Sequence, residues 1–104
     1  MKTFRVQPRV LHRMDEIYDF TRGAWGVAQA ERYIRGLTSR FQAIAAREFP
    51  WRPVSAELGV DGYVCRYEAH MIYWRTDADG GVIIVSLLHA HMHQMARLRD
   101  DFDV

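Results

Sequence analysis

The sequence predicts an α+β domain of two layers, a helical hairpin packed on one face of a mostly antiparallel sheet. Three observations carry this. Between residues 8 and 50 apolar side chains recur with a period of 3.6, and a proline stands at each end. After residue 60 the period falls to 2, in "DGYVCRYEA" and then in "HMIYWRT". The run "VIIVSLL" is apolar on both of its alternating sides, as a strand buried in the middle of a sheet must be. A helical hairpin has to bury its stripe, and the only other surface in so short a chain is a face of that sheet.

In chain order, "TFRVQ" (3–7) reads as a short strand. Pro8 suits the first turn of a helix, where its missing N–H costs nothing. Leu11, Met14, Tyr18 and Thr21 then fall at helical spacing, with Val10 and Ile17 widening the stripe. Gly23 is the expected stop and "GAWG" the expected turn, with Trp25 as a packing anchor. The second helix has the clearest pattern: Ala30, Tyr33, Ile34, Leu37, Phe41, Ile44 and Ala45 form one continuous stripe. Pro50 is expected to end it. Residues 50–60 are a connector. Two strands follow. In the first, Tyr63, Cys65 and Tyr67 share a face opposite Val64 and Arg66. In the second, Ile72 and Trp74 share one face and Met71, Tyr73 and Arg75 the other; if the first pair meets the helices, Met71 and Tyr73 lie on the uncovered face, and the reverse assignment is the alternative. "DADGG" (77–81) is a hairpin turn leading into the last strand, because glycine supplies positive φ cheaply. The order is strand, helix, helix, strand, strand, strand, in one domain spanning 1–104, and about 99–104 are expected to fray.

The chain has 104 residues, 49% of them apolar and 26% charged, and a formal net charge of +1. The single cysteine, Cys65, rules out an intrachain disulfide and a cysteine-built zinc site. No segment approaches the roughly 20 apolar residues of a membrane helix. The opening "MKTFRVQPRV" lacks the layout of a signal peptide, so a cytoplasmic location is expected. Charge is divided unevenly. Residues 1–53 carry ten Lys and Arg against five acids, and residues 54–104 carry four against eight. Solvated helix faces account for most of the arginines, since no dense basic run occurs.

The stretch "LLHAHMHQM" (87–95) raises the question of chemistry, because His89, His91 and His93 alternate in it. Imidazoles at this spacing can chelate a divalent ion, but a metal hydrolase adds a carboxylate ligand or base, and the nearest acids are Asp100, Asp101 and Asp103 in a polar tail. No metal or cofactor is expected. Metal-free cleavage of RNA would need a base, an acid and cations on the phosphate. Arg66, Arg75 and His89 are the residues that fit those roles. Against that reading, the sheet half is net acidic, and proteins that dock on RNA phosphates draw on clustered cations. The blander reading makes Arg75 a strand residue and His89 a capping or partly buried histidine. Met71, Tyr73, Trp51, Met92 and Met95 would together leave an apolar surface on the uncovered sheet face, which marks a binding protein.

The segment "WGVAQAERYIRGLTSRFQAIA" resembles the second helix of ParE-type toxins, within the RelE/ParE superfamily of toxin–antitoxin modules. The matching residues are Trp25, Gly26, Gln29, Ala30, Tyr33, Leu37 and Phe41. Further on, His70, Ile72, Trp74, Arg75, Leu88 and His89 are similar to that family's strand hairpin and closing Leu-His, and the likeness runs from about residue 4 to residue 98. The resemblance implies a toxin that binds and inhibits DNA gyrase without chemistry of its own. It also implies neutralisation by a cognate ParD-like antitoxin in a hetero-oligomer, with no specific contact to nucleic acid or membrane. The RelE branch instead implies ribosome-dependent cleavage of messenger RNA. On the ParE reading, His89, Met92, His93 and Arg97 contact the target, and truncation after Leu88 abolishes toxicity while sparing antitoxin binding. Arg13, Arg32, Arg35, Arg40, Trp51, Met71 and Tyr73 are the expected antitoxin contacts.

Overall fold

The computed structural model describes residues 3–91 and 94–102. Strand β1 (Phe4–Val6) leads into helix α1 (Pro8–Trp25), which is followed by α2 (Val27–Ala45), a two-residue strand β2 (Arg52–Pro53) and a 3₁₀ turn (Ala56–Leu58). Strands β3 (Tyr63–Tyr67), β4 (His70–Thr76) and β5 (Val82–His89) complete the sheet, and helix α3 (Gln94–Phe102) closes the chain. The sheet order is β1-β5-β4-β3-β2, antiparallel except where β1 runs parallel to β5. The two-layer expectation is met and then extended, because α3 adds cover on the second face. Among the described residues no helix is long and apolar enough to cross a membrane.

The hairpin turns at one residue. Gly26 has φ 93°, a value that an L side chain rarely adopts, and its N–H closes α1 on the Arg22 carbonyl. Gly23 does not stop the helix, because an isolated glycine costs only about 1 kcal/mol there. Helix α2 ends at Ala45, short of Pro50. The Glu48 N–H reaches the Ala43 carbonyl, and the Arg47 N–H reaches that of Ile44. This is a Schellman closure, and it places Arg47 in the left-handed region at φ 62°. The guanidinium of Arg47 then lies 3.6 Å from the centroid of the Trp51 ring, which helps offset the strain. The buried stripe of α1 is also rotated from the expected one. Val10 and Ile17 are buried and Met14 packs beside them, whereas Leu11 is 52% exposed.

The main core lies between the hairpin and the sheet. Leu37, Phe41 and Ile44 of α2 meet Cys65, Ile72, Trp74, Ile84 and Leu87. The structure decides which faces of β3 and β4 turn inward: Tyr63, Cys65, Tyr67, Ile72 and Trp74 look toward the helices. A bulge opposite Tyr73 and Trp74 pairs them with Ser86 and Ile84, leaving Val85 without a partner across the ladder. That extra residue lets Ile84 and Leu87 both face the hairpin, while Ser86 and Leu88 face α3.

The opposite face is not open. Tyr73 and Leu88 pack with Val54 and with Leu98 of α3, and Met71, Val64 and Phe102 border the cluster. The expected frayed tail is helical as far as Phe102. One carboxylate fastens it. Asp101 accepts a hydrogen bond from the Ser86 hydroxyl at 2.5 Å and pairs with Arg9 of α1 at 3.0 Å. Ser86 is fully buried, so the charge-assisted bond removes what would otherwise be an unsatisfied hydroxyl. Close packing under α3 also explains Gly62. A Cβ there would stand 2.6 Å from the Phe102 ring and 2.8 Å from the Trp74 carbonyl oxygen. Gly62→Ala is therefore expected to cost about 1–3 kcal/mol through overpacking, read as a lower urea midpoint with an unchanged slope.

Candidate functional site

The β4–β5 register carries the imidazoles. His70 opens β4 and pairs with His89 at the end of β5, so the two rings meet at 5.3 Å between centroids. His91 continues the row, its ring 5.4 Å from that of His89 and its N–H donated to His89 Nδ1 at 3.2 Å. His93 and Met92 lie outside the described residues. His70 is the member the sequence reading passed over as a site. Its Nδ1 shares a hydrogen bond of 2.7 Å with the Tyr33 hydroxyl, whose oxygen also accepts the Ala69 N–H. Burial, with smaller contributions from His89 and Arg13, lowers the His70 pKa to about 4, and burial raises that of Tyr33.

This has a consequence for stability. An unfolded-chain histidine titrates near 6.5 and the folded His70 near 4. Between those values the unfolded chain takes up a proton that the folded chain refuses, so stability falls as pH drops through that window and the loss levels off below it. Urea midpoints measured at pH 7.5 and 4.5 should differ by less in His70→Gln than in the unsubstituted chain.

The imidazoles open onto a groove beside α1. A cavity of about 410 Å³ is lined by Ile17, Phe20, Trp25, Tyr33, His70 and His89, with Arg13 and Glu16 at its rim. Phe20 is 76% exposed and Trp25 74% exposed. Trp25 is thus no packing anchor. The two aromatics form the largest uncovered apolar features among the described residues, and the sequence reading did not single out Phe20.

The nuclease set does not converge. Arg66 lies next to the β3–β4 turn, where its Nε donates to the Glu68 carbonyl at 2.7 Å. Arg75 pairs with Ile83 and lines a polar recess with Arg99 and Asp100, on the α3 side of the sheet. His89 pairs with His70 on the groove side. At about 3.3 Å per residue, Arg75 and His89 stand roughly 17 Å apart along the strands. An acid, a base and a cation serving one phosphate must lie within hydrogen-bond reach of it. Among the described residues no three His, Cys, Asp or Glu gather to hold a metal. Burial raises the pKa of the Cys65 thiol, so it is a poor nucleophile.

The expected antitoxin contacts separate into groups. Arg32 and Arg35 are exposed on α2, and Arg32 donates to Gln29 on its own helix. Arg40 is half-buried and engaged. It donates to the Arg66 carbonyl at 2.9 Å and lies 4.1 Å from the centroid of Phe49. Arg13 sits at the groove rim, 3.9 Å from Glu16. Trp51 is no free surface, since its indole N–H bonds the Ile44 carbonyl and its ring packs against Tyr63 and Trp74. Tyr73 is 3% exposed, and Met71 borders the same cluster under α3. Both were expected on an open face, and α3 occupies it. Arg97 is exposed on α3 and lines a second cavity beside α1.

A strand, a helical hairpin and an antiparallel strand hairpin, with the first strand parallel to the last, make up this α+β domain. A family model described as "ParE toxin of type II toxin-antitoxin system, parDE" matches residues 4–94. Toxin ParE of Escherichia coli is 36% identical over 84 residues, covering 81% of this chain and 81% of that protein. Toxin ParE1 of Caulobacter vibrioides is 31% identical over 99 residues, covering 94% of this chain and 99% of that one. A solved chain from "Chromosomal ParDE TA system from P. aeruginosa" has the same fold, with a TM-score of 0.71 at 14% identity, over 88% of this chain and 98% of its own. The chain belongs to the ParE family, the toxin component of type II toxin–antitoxin systems.

Proposed function

We propose that this chain is a cytoplasmic toxin that works by binding DNA gyrase and inhibiting it, without breaking bonds itself. A cognate ParD-like antitoxin holds it inactive in a hetero-oligomer. The observation that carries the reading is the dispersal of Arg66, Arg75 and His89 over two faces and two ends of the sheet, against the concentration of exposed aromatics and imidazoles in one groove. His89 and Arg97 flank α1 from the sheet end and from α3, and with Met92 and His93 they are the proposed gyrase contacts. Arg32 and Arg35, exposed and without a carboxylate partner among the described residues, suit an acidic antitoxin segment.

The test is direct. Purified toxin is incubated with gyrase and relaxed plasmid, and separately with ribosomes carrying message. Loss of supercoiling with intact message is the expected result. Cleavage of the message, abolished by Arg75→Ala or His89→Ala, would replace this reading with a ribonuclease one.

A further inference from the structure

The sequence has no dense basic run, yet folding gathers four arginines at one edge of the sheet. Arg40 lies in the last part of α2, Arg47 just past its end, Arg52 in β2 and Arg66 in β3. Arg40 donates to the Arg66 carbonyl at 2.9 Å, so α2 and the edge of β3 meet there. Arg40 also approaches the Cys65 sulfur at 3.8 Å, and Arg52 acts on the same sulfur electrostatically. Arg52 stands opposite Val64. Arg66 is two residues on from Val64 and on the same face, roughly 7–8 Å from Arg52. Cations thus line both sides of one rim. The acids adjoining them in sequence are Glu48 and Glu68.

Two features set these side chains apart from ordinary solvated arginines. None of the four forms an ion pair with a carboxylate among the described residues, whereas Arg5, Arg9, Arg13 and Arg22 each do. Arg40 and Arg66 do donate to carbonyls, of Arg66 and Glu68, but a neutral acceptor leaves the charge uncompensated. A guanidinium has five N–H donors, so most of each fork stays available. Two of the forks are also held in place. Arg47 lies over the Trp51 ring, which is itself fixed by its N–H bond to the Ile44 carbonyl. Arg40 lies 4.1 Å from the centroid of Phe49 and 5.3 Å from that of Tyr67. Gly36 makes the room for Tyr67, since a Cβ there would collide with its hydroxyl. A guanidinium stacked in this way keeps its edge donors outward and has little rotamer freedom left to lose on binding.

We propose that this rim holds the phosphate backbone of duplex DNA, without reading its base sequence. Charge complementarity calls for a polyanion, and the surroundings favour nucleic acid over an acidic protein segment. A protein interface has an apolar centre. Here Phe49, Trp51 and Tyr67 are partly buried beneath the guanidiniums, and the large exposed hydrophobics, Leu11, Phe20, Trp25 and Val27, all lie on α1 and the start of α2. Interfaces with DNA are polar and positively charged, and a phosphate accepts the forked donors of arginine. Single strands are bound by stacking bases on open rings, which this rim lacks, so a duplex is the better fit. The choice of DNA over RNA rests on the gyrase reading above; the rim itself does not. None of the proposed gyrase or antitoxin contacts belongs to it.

The test uses the full chain and a short fluorescein-labelled DNA duplex of mixed sequence, with binding read by anisotropy from low to physiological salt. Four phosphate contacts give a slope of log K against log salt of about −3 to −4. Arg52 and Arg66 are exposed, so Arg52→Gln and Arg66→Gln should leave the fold intact, as circular dichroism would confirm. Each should weaken binding by about threefold or more at low salt and make the slope shallower by about one. Arg22→Gln removes the same charge from α1 and should change neither quantity. An RNA duplex of equal length should bind no more tightly, and an oligoglutamate peptide should not bind. Unchanged affinity and slope in Arg52→Gln and Arg66→Gln, or an equal loss in Arg22→Gln, overturns the rim as the contact. Tighter binding of the RNA overturns the assignment to DNA. Binding of the peptide in place of DNA replaces it with an acidic protein partner, and no binding to DNA at low salt overturns it outright. Gyrase is absent from this assay, so the supercoiling test of the proposed function stands or falls separately.

Discussion

Trp74→Ala is expected to lower stability by about 3–5 kcal/mol, a large part of the roughly 5–15 kcal/mol that holds a domain folded. Trp74 is fully buried, lies nearly parallel to Tyr63 at 6.1 Å, and meets Trp51 edge-on at 5.9 Å. Removing it opens a cavity between the hairpin and the middle of the sheet, where Ile44, Ile72 and Ile84 cannot collapse without moving backbone. The polar part of the side chain adds little. Its indole N–H is buried without a hydrogen-bond partner among the described residues. Trp74→Phe, which discards that N–H and keeps most of the apolar volume, should therefore cost much less than Trp74→Ala. Urea unfolding followed by far-UV circular dichroism separates the two. Equal midpoints for Phe and Ala would show that the ring's volume is not what stabilises this layer.

Removal of α3 is the second large effect. Leu98 is fully buried against Tyr73, Leu88 and Val54, and burial of such a leucine is worth about 2–5 kcal/mol by the cost of its truncation to alanine. Ending the chain after Leu88 also strips Asp101 from Ser86 and Arg9, and with it the tie between the sheet, α1 and the tail. The sequence alone suggested that such a truncation would remove toxicity and spare antitoxin binding. With α3 in place the expectation changes: the shortened chain should expose its second apolar face, bind a hydrophobic dye and lose cooperative unfolding. Arg97→Ala is the cleaner probe of a target contact, because Arg97 is exposed and neither Leu98 nor Asp101 depends on it. Toxicity lost in Arg97→Ala with an unchanged urea midpoint would assign the residue to binding. A midpoint that falls with it would assign it to packing.

The sheet was legible because its signals are local. The alternation in "YVCRY" and "HMIYW" and the unbroken apolar run of β5 mark the strands, but alternation alone left open which face meets the helices, and packing put Ile72 and Trp74 there. The misread boundaries have non-local or unmarked causes. Helix α2 stops through backbone hydrogen bonds around Arg47, where no glycine announces a left-handed residue. Helix α3 is polar apart from a few positions, and its fixing point, Asp101, has meaning only beside Ser86 and Arg9. The groove was half legible. His89 was chosen for its neighbours His91 and His93, whereas the structure joins it to His70 and Tyr33. The "DADGG" turn does not carry that information, because counting back from it sets His70 opposite Leu88, and only the bulge at Val85 moves the register on to His89. Phe20 and Trp25 left no comparable trace, since an aromatic on a helix gives no sign of which side the partner helix takes.

The pairing of β1 with β5 has a consequence for synthesis. Phe4 waits for Val82, and Arg9 waits for Asp101. A nascent chain can wind α1 and α2 early, but closing the sheet around them requires the last strand, and loop-closure entropy opposes the pairing until that strand is present. A ribosome-bound fragment ending before β5 should therefore remain sensitive to protease even with both helices formed. The finished binding surface would come into being only after release.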